Sequence, residues 1–216
     1  METNVSTVIV VTGASRGIGK AIALSLAAPD TALIINCSKS AGRLELVKEE
    51  IIKKGALCET FVGDVSNYST VNEMFDLAIS IYGKVNVLIN NAGIASIGLF
   101  QDMTPDMWNN IMSVNLNSVY NCCHFAVQDM LRRHCGKIIN ISSVWGLYGA
   151  SCEVAYSATK GAINSFTKAL AKELAPSNIQ VNAIACGAID TEMNGHLSPE
   201  ELQELAEEIP CGTLGS

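Results

Sequence analysis

The sequence predicts an α/β fold: a doubly wound parallel sheet with helices on both faces. Three observations predict it. Short apolar runs rich in β-branched residues alternate with segments of helical periodicity along the whole chain, as in parallel sheets covered on both faces. The first run, Thr7–Thr12, passes directly into a glycine-rich turn, Gly13-Ala-Ser15-Arg16-Gly17-Ile18-Gly19, and then into the helical pattern KAIALSLAA. Finally, each cluster of chemically notable residues follows a strand. All therefore fall at the carboxyl edge of the sheet, where open sheets of this kind bind ligands.

Taken in order, Ala32–Cys37 reads as the second strand and Leu57–Val62 as the third. An amphipathic helix at Arg43–Lys54, ended by Gly55, lies between them. Ser69–Tyr82 is a helix closed by Gly83, and Val85–Ile89 is the fourth strand, running into Asn90-Asn91-Ala92-Gly93. Thr104-Pro105 has the form of an N-cap and first helical residue. The pattern beyond it runs from Met107 to His134, with a break, and carries Asn115. Lys137–Ile141 and Gln180–Ala185 complete six strands, separated by a helix at Tyr156–Leu174. Ser198-Pro199-Glu200-Glu201 reads as a capped helix start and a lid. At 216 residues the chain is read as one domain, 1–216, large enough to bury roughly 70–75% of its unfolded surface.

Composition excludes several classes. The net charge of −7 and pI near 4.9 argue against nucleic acid. No apolar run reaches the roughly 20 residues of a membrane span, and the N-terminus lacks the basic start of a signal peptide. The eight cysteines include no CxxC. They are expected as reduced thiols of a cytoplasmic protein rather than disulfides or metal ligands, and the three histidines as structural.

The chemistry is expected around Tyr156 and Lys160. Four apart on a helix, they share a face. A nearby ammonium favours an ionised phenol, so Lys160 is expected to lower the Tyr156 pKa for acid–base work on a carbonyl or alcohol. A bare Tyr-x-x-x-Lys is also a common surface pair; the rest of the chain favours the site. The glycine turn has GxxxGxG spacing, not GxGxxG, and in isolation is equally a simple turn. No acid stands at Asn36–Lys39 to hold ribose hydroxyls. Arg16, Ser38 and Lys39 therefore suit a 2′-phosphate and NADP in preference to NAD, the alternative being that the two cations are only solvated.

With these pieces placed, the chain resembles the short-chain dehydrogenase/reductases over essentially its whole length. Thr12-Gly13-xxx-Gly17-x-Gly19 resembles the family's cofactor loop, and Asn90–Gly93 its NNAG motif. Asn115, Ser143, Tyr156 and Lys160 resemble its catalytic tetrad, with Ser143 chosen over Ser142 by its distance from Tyr156. The resemblance implies a Rossmann-type fold and a role for each residue. Tyr156 would be the proton donor, Lys160 its modulator and ribose ligand, Ser143 a donor to the substrate oxygen, and Asn115 the holder of a relay water. Gly13, Ser15, Arg16, Gly17, Ile18 and Gly19, with Ser38 and Lys39, would hold the phosphates. Asp64 and Val65 would border the adenine. Asn91, Ala92 and Gly93 would flank the adenosine side, and Gly187, Ile189 and Thr191 the nicotinamide.

Within the family, segments such as VLINNAGIA and AYSATKGAINSFTKALAKELA look most like the bacterial 3-oxoacyl-[acyl-carrier-protein] reductases. That implies NADPH-dependent reduction of a small-molecule or carrier-bound ketone by a homodimer or homotetramer. A reductase of a ketone-bearing modification on elongation factor P, and a non-catalytic NADP-binding regulator, are the alternatives. Two departures stand out. Cys186-Gly187 replaces the usual Pro-Gly, and the chain stops at Ser216, so that the family's last helix and seventh strand are expected to be missing.

Overall fold

The computed structural model describes residues 5–192, 195 and 198–216. Six strands, β1 (Thr7–Val11), β2 (Thr31–Cys37), β3 (Leu57–Val62), β4 (Val87–Asn90), β5 (Gly136–Ser143) and β6 (Ile179–Cys186), form one parallel sheet in the order β3-β2-β1-β4-β5-β6. The order reverses between β1 and β4, opening a crevice at their carboxyl ends.

All seven residues of β2 are buried, because both faces of the sheet are covered. Val10, Ile34, Leu88 and Ile138 point to one face and pack with α3 (Tyr68–Tyr82), α5 (Ser118–Arg133) and α7 (Val154–Leu174). Ile9, Val11, Leu33, Ile35 and Ile89 point to the other and meet α1 (Gly17–Leu26) and α2 (Ala41–Lys53). This is the two-residue alternation of strands applied to a chain apolar on both sides.

Helix boundaries follow local chemistry. The Asn67 side chain caps α3 by accepting from Ser69 and Thr70 N–H, and Gly83 at φ +75° ends it. Thr104 caps α4 (Pro105–Met112). Ser198 and Glu201 form a reciprocal capping box on α8 (Pro199–Glu208). β4 begins two residues later than expected. The Val85 N–H donates to Asp129 at 3.0 Å and its carbonyl accepts from Arg133, so side chains on α5 replace its ladder partners. The expected break between Met107 and His134 is a π-helical stretch, Ser113–Asn117, joining α4 to α5. A short helix unforeseen in the sequence, α6 (Trp145–Tyr148), fills the segment after Ser143.

All eight cysteines are free. Burial raises Cys58 and Cys123 to about 12, so these thiols are inert. His196 lies outside the described residues.

Candidate active site

The glycine turn is fixed from behind by Asn91. Its amide nitrogen donates to the Thr12 and Gly13 carbonyls, both at 3.0 Å, while Asn91 and Ala92 N–H donate to the Thr12 hydroxyl at 3.0 Å. Asn91 therefore shapes the loop, and its side-chain donor is spent on that backbone. A Cβ at Gly19 would collide with the Gly13 carbonyl and the Asn91 amide, so only glycine lets α1 start so close to β1. The first turn of α1 carries no acid and Arg16 makes no capping bond. Its N–H groups stand at the mouth of the crevice, as a pyrophosphate requires. Ser15 and Ile18 are half-buried along the turn, and Arg16 is exposed. The cradle fits a nicotinamide dinucleotide.

Ser38 and Lys39 are exposed at the end of β2. Asp64 is exposed, its carboxylate accepting from Ser66 N–H at 2.9 Å. Val65 is only 4% exposed within the core, and its carbonyl accepts from Asn121. Its side chain packs in the core with α3, so only its backbone is available to border the adenine. Gly93 faces Asn115 and Lys160, with a Cβ there 3.3 Å from Asn115 Oδ1 and 3.8 Å from Lys160 Nζ.

The four expected catalytic residues converge from three segments: the π-helical stretch with Asn115, the end of β5 with Ser143, and α7 with both Tyr156 and Lys160. Ser143 ends β5, paired with Cys186. Its hydroxyl accepts from Trp145 N–H at 3.2 Å and stands near enough to the Tyr156 phenol to influence its titration. Ser142 turns away, donating to the Lys160 carbonyl at 3.3 Å. Lys160 is 5% exposed, and its ammonium donates to the Ile141 carbonyl at 2.8 Å. Desolvation lowers its pKa to about 8.

Tyr156 departs from expectation. Burial raises its pKa; the Ser143 hydroxyl opposes this, while Glu153 and Cys186 add to it. Lys160 is not among the groups that shift it; the ammonium stands over the ring, 5.5 Å from its centroid.

Asn115 is fully buried in the π-helical stretch, a feature frequent at functional sites. Its Oδ1 accepts from Ile94 N–H at 2.8 Å. Its Nδ2 donates to the Ile94 carbonyl at 2.8 Å and to Thr159 at 3.2 Å. The side chain thus anchors the loop after Gly93.

Cys186 takes the place where proline was expected and lets β6 run to its end, with its carbonyl accepting from Val144 N–H at 2.9 Å. Gly187 is open. Ile189 bridges to Gly215, and Thr191 lies against Gly17 at 3.7 Å from a Cβ built there.

Four contributors were not singled out in the sequence. Thr159 ties Asn115 to the Tyr156 carbonyl, to which it donates at 2.7 Å. Gly146 lets α6 lie on α7, since a Cβ would stand 2.6 Å from the Lys160 carbonyl carbon. That glycine follows Ser143 closely, which was the available signal. Arg43 and Glu192 meet beside Arg16, with no local sequence signal at all.

Comparison with known proteins agrees with this geometry. The family model described as short chain dehydrogenase matches residues 7–202. A 3-oxoacyl-[acyl-carrier-protein] reductase FabG of Staphylococcus epidermidis is 38% identical over 205 residues, 95% of this chain and 84% of the relative. The FabG of Aquifex aeolicus is 39% identical over 210 residues, 97% of this chain and 84% of the relative. The crystal structure of a dehydrogenase/reductase from Sinorhizobium meliloti superposes with a TM-score of 0.90 at 28% identity, covering 99% of this chain and 85% of the other.

Proposed function

The chain belongs to the short-chain dehydrogenases and is thereby an NAD(P)-dependent oxidoreductase; from this we propose that it reduces a 3-oxoacyl thioester to the 3-hydroxyacyl form with NADPH. The observation that carries the reading is the grouping of Ser143 and Tyr156 beside the buried Lys160, at the end of a cradle suited to a dinucleotide. Bound there, the nicotinamide would supply the hydride; the protein positions it.

Each side chain then has a task. Ser143 would donate to the carbonyl oxygen as charge develops on it. Tyr156, kept protonated by burial, would give that oxygen its proton. Lys160 would hold positive charge under the phenol and bind the ribose. Asn115 would hold the Ile94 loop that borders the pocket. Gly13 to Gly19 would bind the pyrophosphate, Ala92 and Gly93 the adenosine side, and Gly187, Ile189 and Thr191 the carboxamide.

The acyl thioester is favoured by the relatives' names and by the surroundings of the tetrad. Ile97, Leu99, Phe100, Leu147 and Tyr148 are all more than half exposed, on the segment after β4 and on α6, which the Gly98 N–H to Cys152 carbonyl bond at 2.9 Å ties together just beyond α6. Solvated apolar groups of this number suit an acyl chain. The relatives lend no support to an elongation-factor substrate. Among the described residues no helix is long and apolar enough to cross a membrane. A cytoplasmic homo-oligomer built on the exposed faces of α5 and α7 completes the reading.

The test is loss of nicotinamide absorbance with NADPH and an acetoacetyl thioester. Turnover abolished in Tyr156→Phe supports the reading; turnover that survives the substitution refutes it.

A further inference from the structure

Three charged residues remote in sequence meet beside the glycine turn. Glu192 Oε2 lies 2.7 Å from Arg43 Nη1 and 3.3 Å from Arg16 Nη1. Arg16 belongs to the turn itself, Arg43 to the first turn of α2, and Glu192 follows Thr191, which rests on Gly17. All three side chains are more than half exposed, and exposed ion pairs of this kind add little to stability. What the cluster does provide is a pair of guanidinium groups gripping one oxyanion. No acid lies in the first turn of α2 or at Ser38, Lys39 or Ser40 to offset their charge.

Resting on the NADPH reading above, we propose that Arg43 joins Arg16 in binding the 2′-phosphate of the cofactor, and that Glu192 is the carboxylate this phosphate displaces. A phosphomonoester carries close to two charges and three acceptor oxygens at neutral pH, so two arginines bind it better than one carboxylate. NADH brings only a hydroxyl to the same place and leaves the Glu192 pairs intact. Cofactor choice is thereby coupled to the segment carrying Ile189 and Thr191, which the phosphate frees from the turn. The two arginines hold the Glu192 carboxyl below its ordinary range, the Arg43 bond contributing most, so it is a charged competitor at every pH where the enzyme would work.

Fluorescence titration of NADPH and NADH against the wild-type chain, Arg43→Gln, Arg43→Lys and Glu192→Gln tests this without turnover. The expected result is wild-type preference for NADPH, and a loss of about tenfold in NADPH affinity for Arg43→Gln, partly restored in Arg43→Lys. NADH affinity stays within about twofold in all three variants, and Glu192→Gln binds NADPH several-fold more tightly. Because the residues are exposed, matched melting temperatures show that the variants fold. An Arg43→Gln protein that keeps its NADPH affinity, or loses both cofactors equally, overturns the role of Arg43. Weaker NADPH binding in Glu192→Gln overturns the competition. A wild-type chain that prefers NADH refutes the cofactor reading itself, a result distinct from either.

Discussion

The ammonium of Lys160 stands over the ring of Tyr156, 5.5 Å from its centroid, and donates to the Ile141 carbonyl at 2.8 Å. It is therefore held by the end of β5 and not by the phenol. Both groups are tuned chiefly by desolvation, in opposite senses: the phenol upward and the ammonium downward. At neutral pH both carry their protons, which is the state ketone reduction needs.

The pH dependence follows. Tyr156 stays protonated beyond its ordinary value, so it does not limit reduction in the neutral range. Lys160 loses its proton near pH 8, removing the positive charge that assists proton delivery. The expected profile of kcat/KM for ketone reduction is flat through neutral pH and falls with an apparent pKa near 8. A profile still flat at pH 10 would show that Lys160 is not the titrating group.

Lys160 also costs stability. Its pKa falls from 10.5 to about 8 on folding, so at any pH below 8 the folded chain carries a buried charge that the unfolded chain carries in water. At about 1.4 kcal/mol per pH unit this amounts to ~3 kcal/mol. Between pH 8 and 10.5 the unfolded chain binds more protons, so this contribution to stability rises with pH. Lys160→Met is expected to be about 1–3 kcal/mol more stable than wild type at pH 7, with the lost bond to Ile141 reducing the gain. Its advantage shrinks as pH rises past 8. Paired denaturant melts at pH 7 and 9 measure this, with Cys186→Ala as the common background because Lys160 influences that thiol. Reductase activity is expected to be lost, the usual trade of stability for function.

Asn115 clamps Ile94 through both ends of its amide. Asn115→Ala removes both bonds and leaves the Thr159 partner empty, at a cost of about 1–3 kcal/mol. Asn115→Asp keeps the acceptor but loses the donor to the Ile94 carbonyl and Thr159. Activity is expected to drop at least tenfold in both, with Asp no better than Ala, because a carboxylate buried against a carbonyl is repelled. Recovery of activity in Asn115→Asp would mean that only the Ile94 N–H bond matters.

The sheet was legible because its signals are local and periodic. β3 was placed to the residue, and β2 within one: β2 is a continuous apolar run, and β3 a short stretch between Gly55-Ala56 and Gly63-Asp64. β4 was misplaced because Val85 is as apolar as its neighbours, and only contacts with Asp129 and Arg133, more than forty residues away, take it out of the ladder. That Asn115, Ser143, Tyr156 and Lys160 belong together was legible as residue types at characteristic spacing. Their electrostatics were not, since spacing puts Lys160 beside Tyr156 without saying whether the ammonium meets the ring or the hydroxyl. The motif marks Asn91 as a residue of the cofactor side, but not that its side-chain nitrogen donates to the glycine turn. The Arg16–Glu192–Arg43 cluster was invisible for a simpler reason: it joins segments that only the folded chain brings together.

Two glycine-to-alanine substitutions separate backbone packing from helix propensity. Gly19 and Gly42 both lie in the first turn of a helix, α1 and α2. Alanine favours helix by up to about 1 kcal/mol at such positions. At Gly42 nothing lies within 4 Å of the added Cβ, so Gly42→Ala is expected to be neutral or stabilising by that amount. At Gly19 the Cβ meets the Gly13 carbonyl and the Asn91 amide. Neither can move without breaking the bonds that shape the turn. Gly19→Ala is therefore expected to lower stability by about 1–3 kcal/mol, as overpacking does, and to weaken NADPH and NADH equally by more than tenfold. Equal loss of both cofactors is the diagnostic result: the turn binds the pyrophosphate they share, whereas a selective loss of NADPH would place the damage at Arg16.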